Sequence, residues 1–302
     1  MFSICIPIYN YYVGDLAGAL YAQAAGTGLA FEILLADDAS EDIFRQRNAA
    51  IALPHLRYIQ LEENTGRSRI RNLLGREAQY SYLIFMDCDS AVPSEDYIKR
   101  YVPYFKPGVL CSGGRVYGQE RERGKKYLRW KYGVYRECLD AERRESNPCF
   151  GFMSCNFLIY KPLLEDNPFS EDLSGYGHED TLFGIELREK GVSLLHIDNP
   201  LVHLGLEDSD VFIGKTEKAL SNLRKIDRLL KEKHPRHAVH SSLIRMEARL
   251  RRMRLLPLFS LAFTIIKPLI KTNLCGPHPS LFLFDIYKLG ILAGLRDTDS
   301  PA

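Results

Sequence analysis

The chain has 302 residues, 46% of them hydrophobic and 26% charged, with a formal net charge of +2. That length accommodates one large domain or a domain with an appendage, and the composition excludes a disordered chain and a general nucleic-acid binder.

Residues 2–8 form an apolar run that reads as a strand, with no basic leader or cleavage site before it, so a cytoplasmic location is expected. A helix-like stretch at 14–25 follows. The alternation continues with strands at 32–36, 56–61, 82–86 and 109–112, and helices at 41–52, 65–79 and 94–105. It predicts an α/β fold: a Rossmann-like, mostly parallel central sheet with flanking helices on both faces. Residues 113–150, rich in Arg, Lys and Glu, read as a helix plus a mobile loop. A strand at 157–160, a helix at 179–190 and a strand at 192–197 complete this unit. From about Glu207 long helical stretches take over, so the expected division is a catalytic domain over 1–205 and a helical C-terminal extension over 206–302. Seven cysteines (Cys5, Cys88, Cys111, Cys138, Cys149, Cys155, Cys275) occur without a C-x-x-C pair. That fits a reducing compartment and mostly buried thiols.

Parallel sheets of this kind bind ligands beyond the carboxyl ends of their strands. Those positions hold Pro7, Tyr9 and Asn10, then Asp37 and Asp38, then Glu63 and Asn64, then Asp87 and Asp89. Any one polar loop is ordinary. Four directed at one edge point to a ligand crevice.

The clearest local signal is YLIFMDCDS at 82–90, an apolar strand ending in Asp-x-Asp. Two carboxylates one residue apart can share Mg²⁺ or Mn²⁺ and the phosphates it carries. In GYGHED at 175–180, Glu179 and Asp180 fall in the first turn of a helix, where negative charge is favoured in any case. Gly175 and Gly177 permit close backbone approach to a ligand, and a carboxylate there could act as general base. His203, just beyond a strand, reads either as a satisfied core histidine or as a further metal ligand. In NTGRSRIRN at 64–72, Arg67, Arg69 and Arg71 cannot share one helix face, and Arg71 could reach a diphosphate.

Together these segments resemble glycosyltransferase family 2. SICIPIYN is similar to its first strand and turn, LLADDASED to its Asp-Asp-x-Ser segment, NTGRSRIRN to its Asn-x-Gly helix start, and FMDCDS to its Asp-x-Asp motif. The resemblance covers about residues 1–205 and implies the GT-A fold, a nucleotide-sugar donor with UDP favoured, and inversion. It implies donor contacts from Pro7, Tyr9, Asn10, Asp37, Asp38, Asn64, Arg71, Asp87 and Asn156, with Asp38 ahead of Asp37 for the nucleotide base. It further implies Asp89 and His203 as metal ligands. GYGHED is similar to the Gly-Trp-Gly-x-Glu-Asp segment of inverting GT-A enzymes, which implies Asp180 as catalytic base and Glu179 and Tyr176 as acceptor contacts. Tyr176 stands where tryptophan is usual.

In the C-terminal third, Arg245, Arg249, Arg251, Arg252 and Arg254 precede the apolar run 255–270, which is interrupted by Pro257, Lys267 and Pro268. The run is too short and broken to span a bilayer. Peripheral membrane contact through 245–295 is expected, against the alternative of packing on the catalytic domain or a dimer partner. With a membrane, a lipid-linked saccharide acceptor at the cytoplasmic face of the inner membrane becomes the natural partner. Among rival readings, a haloacid-dehalogenase-like phosphatase shares the strand ending in Asp-x-Asp but has it near the start of the chain. A nucleotidyltransferase needs a Gly-rich basic loop near residues 9–14, and a dehydrogenase needs G-x-G-x-x-G after the first strand; neither is present. A non-catalytic sugar-binding scaffold is the remaining alternative.

Overall fold

The computed structural model describes residues 1–118, 122–172, 177–233 and 241–295. Its strands are β1 (Phe2–Ile8), β2 (Phe31–Asp37), β3 (Leu56–Gln60), β4 (Tyr82–Met86), β5 (Ser90–Ala91), β6 (Val109–Ser112), β7 (Arg115–Tyr117), β8 (Asn156–Tyr160), β9 (Ser193–His196) and β10 (Leu201–His203). Helices α1 (Gly14–Ala25), α2 (Asp42–Ala49), α3 (Arg67–Glu77) and α4 (Tyr97–Tyr101) alternate with the early strands. Short helices α5 (Tyr127–Tyr132), α6 (Ala141–Glu145) and α7 (Pro148–Gly151) precede β8, and α8 (Lys161–Asp166) and α9 (Glu179–Glu189) follow it.

The chain forms two compact units. One comprises Met1–Gln119, Val134–Ser174 and Glu179–Gly205; the other comprises Glu120–Gly133, Gly175–His178 and Leu206–Ala302. In the first, seven strands make one sheet in the order β3-β2-β1-β4-β8-β6-β9. All neighbours are parallel except at β8, which runs antiparallel to both β4 and β6. The mostly parallel sheet with flanking helices expected from the sequence is therefore what forms. The chain passes from β1 outward to β2 and β3, then returns to β4 on the other side of β1. That reversal opens a crevice at the carboxyl ends of β1 and β4.

β1 and β2 are apolar on both faces because helices cover both, and every residue of β2 is buried. Of the two buried acids in β2, Glu32 and Asp37, the first is satisfied by Ser3 Oγ at 2.7 Å, the Gln79 N–H at 2.6 Å and Arg57 at 3.3 Å. A second, three-stranded sheet has the order β5-β10-β7. Its strands are only two or three residues long and carry no readable periodicity. Among the described residues of 113–150, β7 and short helices stand where a single helix and loop were expected.

Two buried side chains fix the loops around this second sheet. Asn156 accepts from Tyr97 and Tyr101 hydroxyls at 2.7 and 2.6 Å and donates to the carbonyls of Gly114 and Asn199, both at 2.8 Å. Gly113 packs so closely here that a Cβ would lie 2.4 Å from the Asn199 carbonyl and 2.6 Å from the Asn156 amide. Arg144 is also buried and donates to the carbonyls of Ser112, Gly113, Leu139 and Ile197. No disulfide forms among the described residues.

The second unit contains α5 and the long helices α10 (Ser209–Lys233), α11 (Ser242–Arg252), α12 (Leu256–Leu274) and α13 (Leu281–Gly294). Its core gathers Leu128, Phe212, Phe263, Leu274, Phe284 and Tyr287. Buried Arg129 pairs with Glu207 at 3.3 Å and lies 4.9 Å over the Phe212 ring. Among the described residues no single helix is long and apolar enough to cross a membrane, and α11 and α12 are bent by 118° at their junction.

Replacing Asn156 by alanine strands two buried hydroxyls and two carbonyls, so Asn156→Ala should lower unfolding stability by about 3 kcal/mol. Urea denaturation of the variant beside wild type measures it.

Candidate active site

The carboxyl end of β4 delivers Asp87 and Asp89 into the crevice, and the second sheet brings their partners. In that sheet His203 pairs with Ser90 across the antiparallel β10/β5 register, next to Asp89. On its other side β10 runs parallel to β7, which sets Arg115 opposite Leu201 and Tyr117 opposite His203.

His203 Nδ1 lies 3.5 Å from Asp89 Oδ1. Neither ring nitrogen of His203, nor Asp89 Oδ1, has a hydrogen-bond partner among the described residues, although all three atoms are buried. Buried polar atoms without partners are costly, and here three of them lie on two adjacent side chains. A carboxylate and an imidazole suit Mn²⁺ or Mg²⁺ completed by phosphate oxygens and water. Among the described residues no group of three or more His, Cys, Asp or Glu is placed to hold a metal. Tyr117 stacks edge-on against His203 at 5.3 Å and orients the ring. Gly205 lies so close that a Cβ would fall 2.0 Å from Asp89 Oδ2, so glycine is needed to leave that carboxylate its space.

Asp87 has a different environment. Arg71 reaches its Oδ1 at 2.8 Å, and Arg115 and Arg67 reach its Oδ2 at 3.2 and 3.7 Å. Arg67 also binds Glu179 at 2.6 Å, and Arg71 approaches the same carboxylate at 3.7 Å. Arg115 continues to Glu137 at 3.6 Å, and Glu137 accepts from the Tyr117 hydroxyl. Burial would raise the Asp87 pKa, but Arg67, Arg71 and Arg115 outweigh it and hold the carboxyl well below the usual range. Glu179 is likewise lowered, its burial overcome by Arg67 and Arg71.

Asp180 moves the other way. Burial and the adjacent Glu179 carboxylate push it up to about 6, against the Thr181 N–H, which donates to Asp180 Oδ1 at 2.8 Å. Two neighbouring carboxylates at the start of α9 are therefore separated in acidity. One is held ionised by arginines, and the other is poised to exchange a proton near neutrality.

The remaining residues singled out from the sequence fall as follows. Tyr9 is exposed and Pro7 half-buried at the end of β1, and Asn10 is held left-handed at φ 49°. The Asn10 backbone N–H donates to Ser40 Oγ at 2.8 Å, and its side-chain oxygen accepts from the Glu41 N–H at 2.7 Å. Asp37 accepts from the Ser40 N–H and the Tyr58 hydroxyl. Asp38 caps the start of α3, accepting from Thr65 N–H, Thr65 Oγ1 and the Gly66 N–H between 2.7 and 2.9 Å. Asn64 donates to the Asp38 carbonyl at 3.0 Å. Arg71 is buried, and its guanidinium turns to Asp87 rather than outward to a diphosphate. Asn156 is 0% exposed with its side chain fully engaged, so it presents no group to a ligand. Gly177 is left-handed at φ 98°, and a Cβ there would meet Ala219 at 2.7 Å, so packing already requires the glycine. Tyr176 and Gly175 lie outside the described residues.

Sequence reasoning passed over Arg115, Glu137 and Gly205, and left Arg67 without a role. Arg67 had a local signal, in the NTGRSRIRN helix start. The other three act through pairings far apart in the chain, which no local pattern announces.

The profile of Glycosyl transferase family 2 matches residues 3–167. The mannosyltransferase PcManGT from Pyrobaculum calidifontis, solved in complex with GDP-Man and Mn²⁺, superposes with a TM-score of 0.51 at 18% identity, over 75% of this chain and 64% of its own. This chain thus spans just under two thirds of that enzyme's length. Glucosyl-3-phosphoglycerate synthase from Mycobacterium tuberculosis, in complex with Mn²⁺, uridine-diphosphate and glucosyl-3-phosphoglycerate, gives a TM-score of 0.51 at 15% identity, over 74% of this chain and 79% of its own. At these identities the likeness is one of fold, GT-A. No curated protein matches this sequence.

Because Asp87 is more acidic folded than unfolded, the stability it contributes is complete above the ordinary aspartate pKa of about 3.9 and fades as pH falls toward the folded value. Asp87→Asn should cost about 3 kcal/mol at neutral pH, since three guanidiniums lose their counter-charge. It should also flatten the acid limb of the stability curve. Urea denaturation at neutral and acid pH reads both effects.

Proposed function

This chain belongs to glycosyl transferase family 2, and on that premise we propose that it moves a hexosyl or hexosaminyl group from a nucleotide-diphosphate sugar to a hydroxyl of a saccharide or lipid-linked saccharide, with inversion. UDP is the favoured nucleotide and surface polysaccharide synthesis the setting. The observation that carries this reading is the convergence of Asp89 and His203, whose facing polar atoms have no partner among the described residues. We assign residues 1–205 as the catalytic domain and 206–302 as a helical extension.

Asp89 and His203 would hold a divalent cation, Mn²⁺ or Mg²⁺, and such an ion would supply charge neutralisation for the departing diphosphate. Pro7, Tyr9 and Asn10 at the end of β1, with Asp37, Asp38 and Asn64 beside them, border the nucleotide. Asp38 reaches it through the turn it caps, since its carboxylate is already occupied by that turn. Arg71 and Asn156 act one step back: the first holds Asp87 and Glu179, the second holds the loops around β7 and β10. Asp180 accepts the proton of the attacking hydroxyl, and Glu179 and Tyr176 orient the acceptor sugar. A pKa of about 6 leaves Asp180 mostly ionised at neutral pH while keeping it basic enough to take that proton. The phosphatase alternative requires Asp87 as nucleophile, but arginines hold both of its oxygens.

The test of the donor site is a thermal-shift panel of nucleoside diphosphates and nucleotide sugars, with and without Mn²⁺, on wild type and Asp89→Ala. A Mn²⁺-dependent rise with one nucleotide, abolished by chelator and by the substitution, is expected; no rise with any nucleotide overturns the reading.

The test of the base is the pH profile of kcat/KM for transfer. It should show an acid limb near pH 6, with rate lost as falling pH protonates Asp180. Asp180→Asn should keep the donor-induced thermal shift and lose about a thousandfold in transfer rate.

A further inference from the structure

The second unit carries a surface that transfer chemistry does not use. On α12, Leu258, Leu261, Ile265 and Leu269 are 66%, 63%, 70% and 73% exposed. Their spacing of three, four and four residues places them on one face, a stripe about 16 Å long. The opposite face of the same helix, with Phe263, Ile270 and Leu274, is buried in the core of the unit. The exposed stripe is therefore not a disordered edge but one side of a helix whose other side is firmly seated. Soluble surfaces seldom leave so continuous an apolar line to water.

The flanking charge says what covers it. Arg249, Arg251, Arg252 and Arg254 are all exposed immediately before α12, with Met253 62% exposed among them. Across residues 241–280, Glu247 is the sole acid against seven lysines and arginines. Glu247 is itself buried and held by Arg224 at 2.8 Å and Arg251 at 3.1 Å, so it subtracts little from the outward charge. An apolar line edged by exposed arginines, Arg251 among them paired with Glu247, matches the interface of a bilayer with anionic headgroups. A second copy of the chain fits less well, because a two-fold contact sets the patch on itself and brings arginine against arginine. Crossing the bilayer is not open to α12 by itself, given Lys267 and Lys271 within it and the 118° bend to α11.

We propose that α12 lies in the plane of an anionic lipid surface, with Leu258, Leu261, Ile265 and Leu269 below the headgroups and the arginines of 249–254 on their phosphates. This surface is independent of the donor site. It binds membrane whether or not the chain transfers sugar.

The test is flotation of the full-length protein with vesicles of phosphatidylcholine, with and without phosphatidylglycerol. Wild type should float with the anionic vesicles and be released by high salt, which screens the arginines. Leu261→Glu combined with Ile265→Glu should reduce flotation on the order of tenfold or more. Both positions are exposed, so that variant should keep its melting temperature and any nucleotide-induced shift, which separates loss of membrane binding from loss of fold or donor site. Arg249→Ala with Arg252→Ala should weaken binding to anionic vesicles and make what remains less salt-sensitive. The proposal is overturned if wild type does not float, if it floats equally with neutral vesicles, or if sizing shows a dimer that the Leu261/Ile265 variant dissolves.

Discussion

Asp87 stands among three guanidiniums, from Arg67, Arg71 and Arg115, and two of these also hold Glu179. The members come from the end of β4, the start of α3, β7 and the start of α9, so one cluster ties four elements to a common point. Arg71 and Glu179 are almost fully enclosed and depend on these partners, while Arg67 keeps part of its side chain in solvent. That mutual dependence sets where α9 begins, and so where Asp180 sits. It also explains why one of two adjacent carboxylates is kept ionised while the other is pushed up to about 6.

Around that cluster the structure separates groups that build from groups left to react. Asp38, Asn156 and Arg144 spend their polar atoms on backbone turns and buried hydroxyls. Each closes a loop beside the crevice and has little left for a ligand. Asp89 and His203 are the contrast: His203 is buried and Asp89 partly exposed, and Asp89 Oδ1 and both imidazole nitrogens have no hydrogen-bond partner among the described residues. Other buried atoms, among them Ser112 Oγ and Ser154 Oγ, also lack a partner, so what stands out at this pair is that three such atoms belong to two adjacent side chains. Gly205 maintains it by leaving the Asp89 carboxylate unobstructed.

The helical unit follows a different logic. Its core residues seat one face of α12, while the other face stays apolar and open beside a run of arginines. Amphipathic patterning usually divides a helix into an apolar inside and a polar outside. Here the outside is apolar as well, and the positive charge sits at its edge.

The sequence by itself determined much of the main sheet. β1, β4 and β6 form with the limits their apolar runs predict, and β2, β3, β8 and β9 differ by a residue at one or both ends. Such strands announce themselves because burial on both faces demands continuous apolar residues. The polar residues after β1, β2 and β4, and the helical texture beyond Glu207, were legible for the same local reason. Tertiary structure alone decided the rest. The strands of the three-stranded sheet are too short to carry a period, so only their pairing reveals them, and that pairing brings His203 to Asp89 and Arg115 to Asp87. The direction of Arg71 was also decided there, because a guanidinium turns to whichever carboxylates the fold places around it. Arg67 and Glu179 are 112 residues apart, and their contact exists only once α3 and α9 meet. Hydrophobic periodicity is a property of neighbours along the chain; charge pairing and strand register belong to neighbours in space.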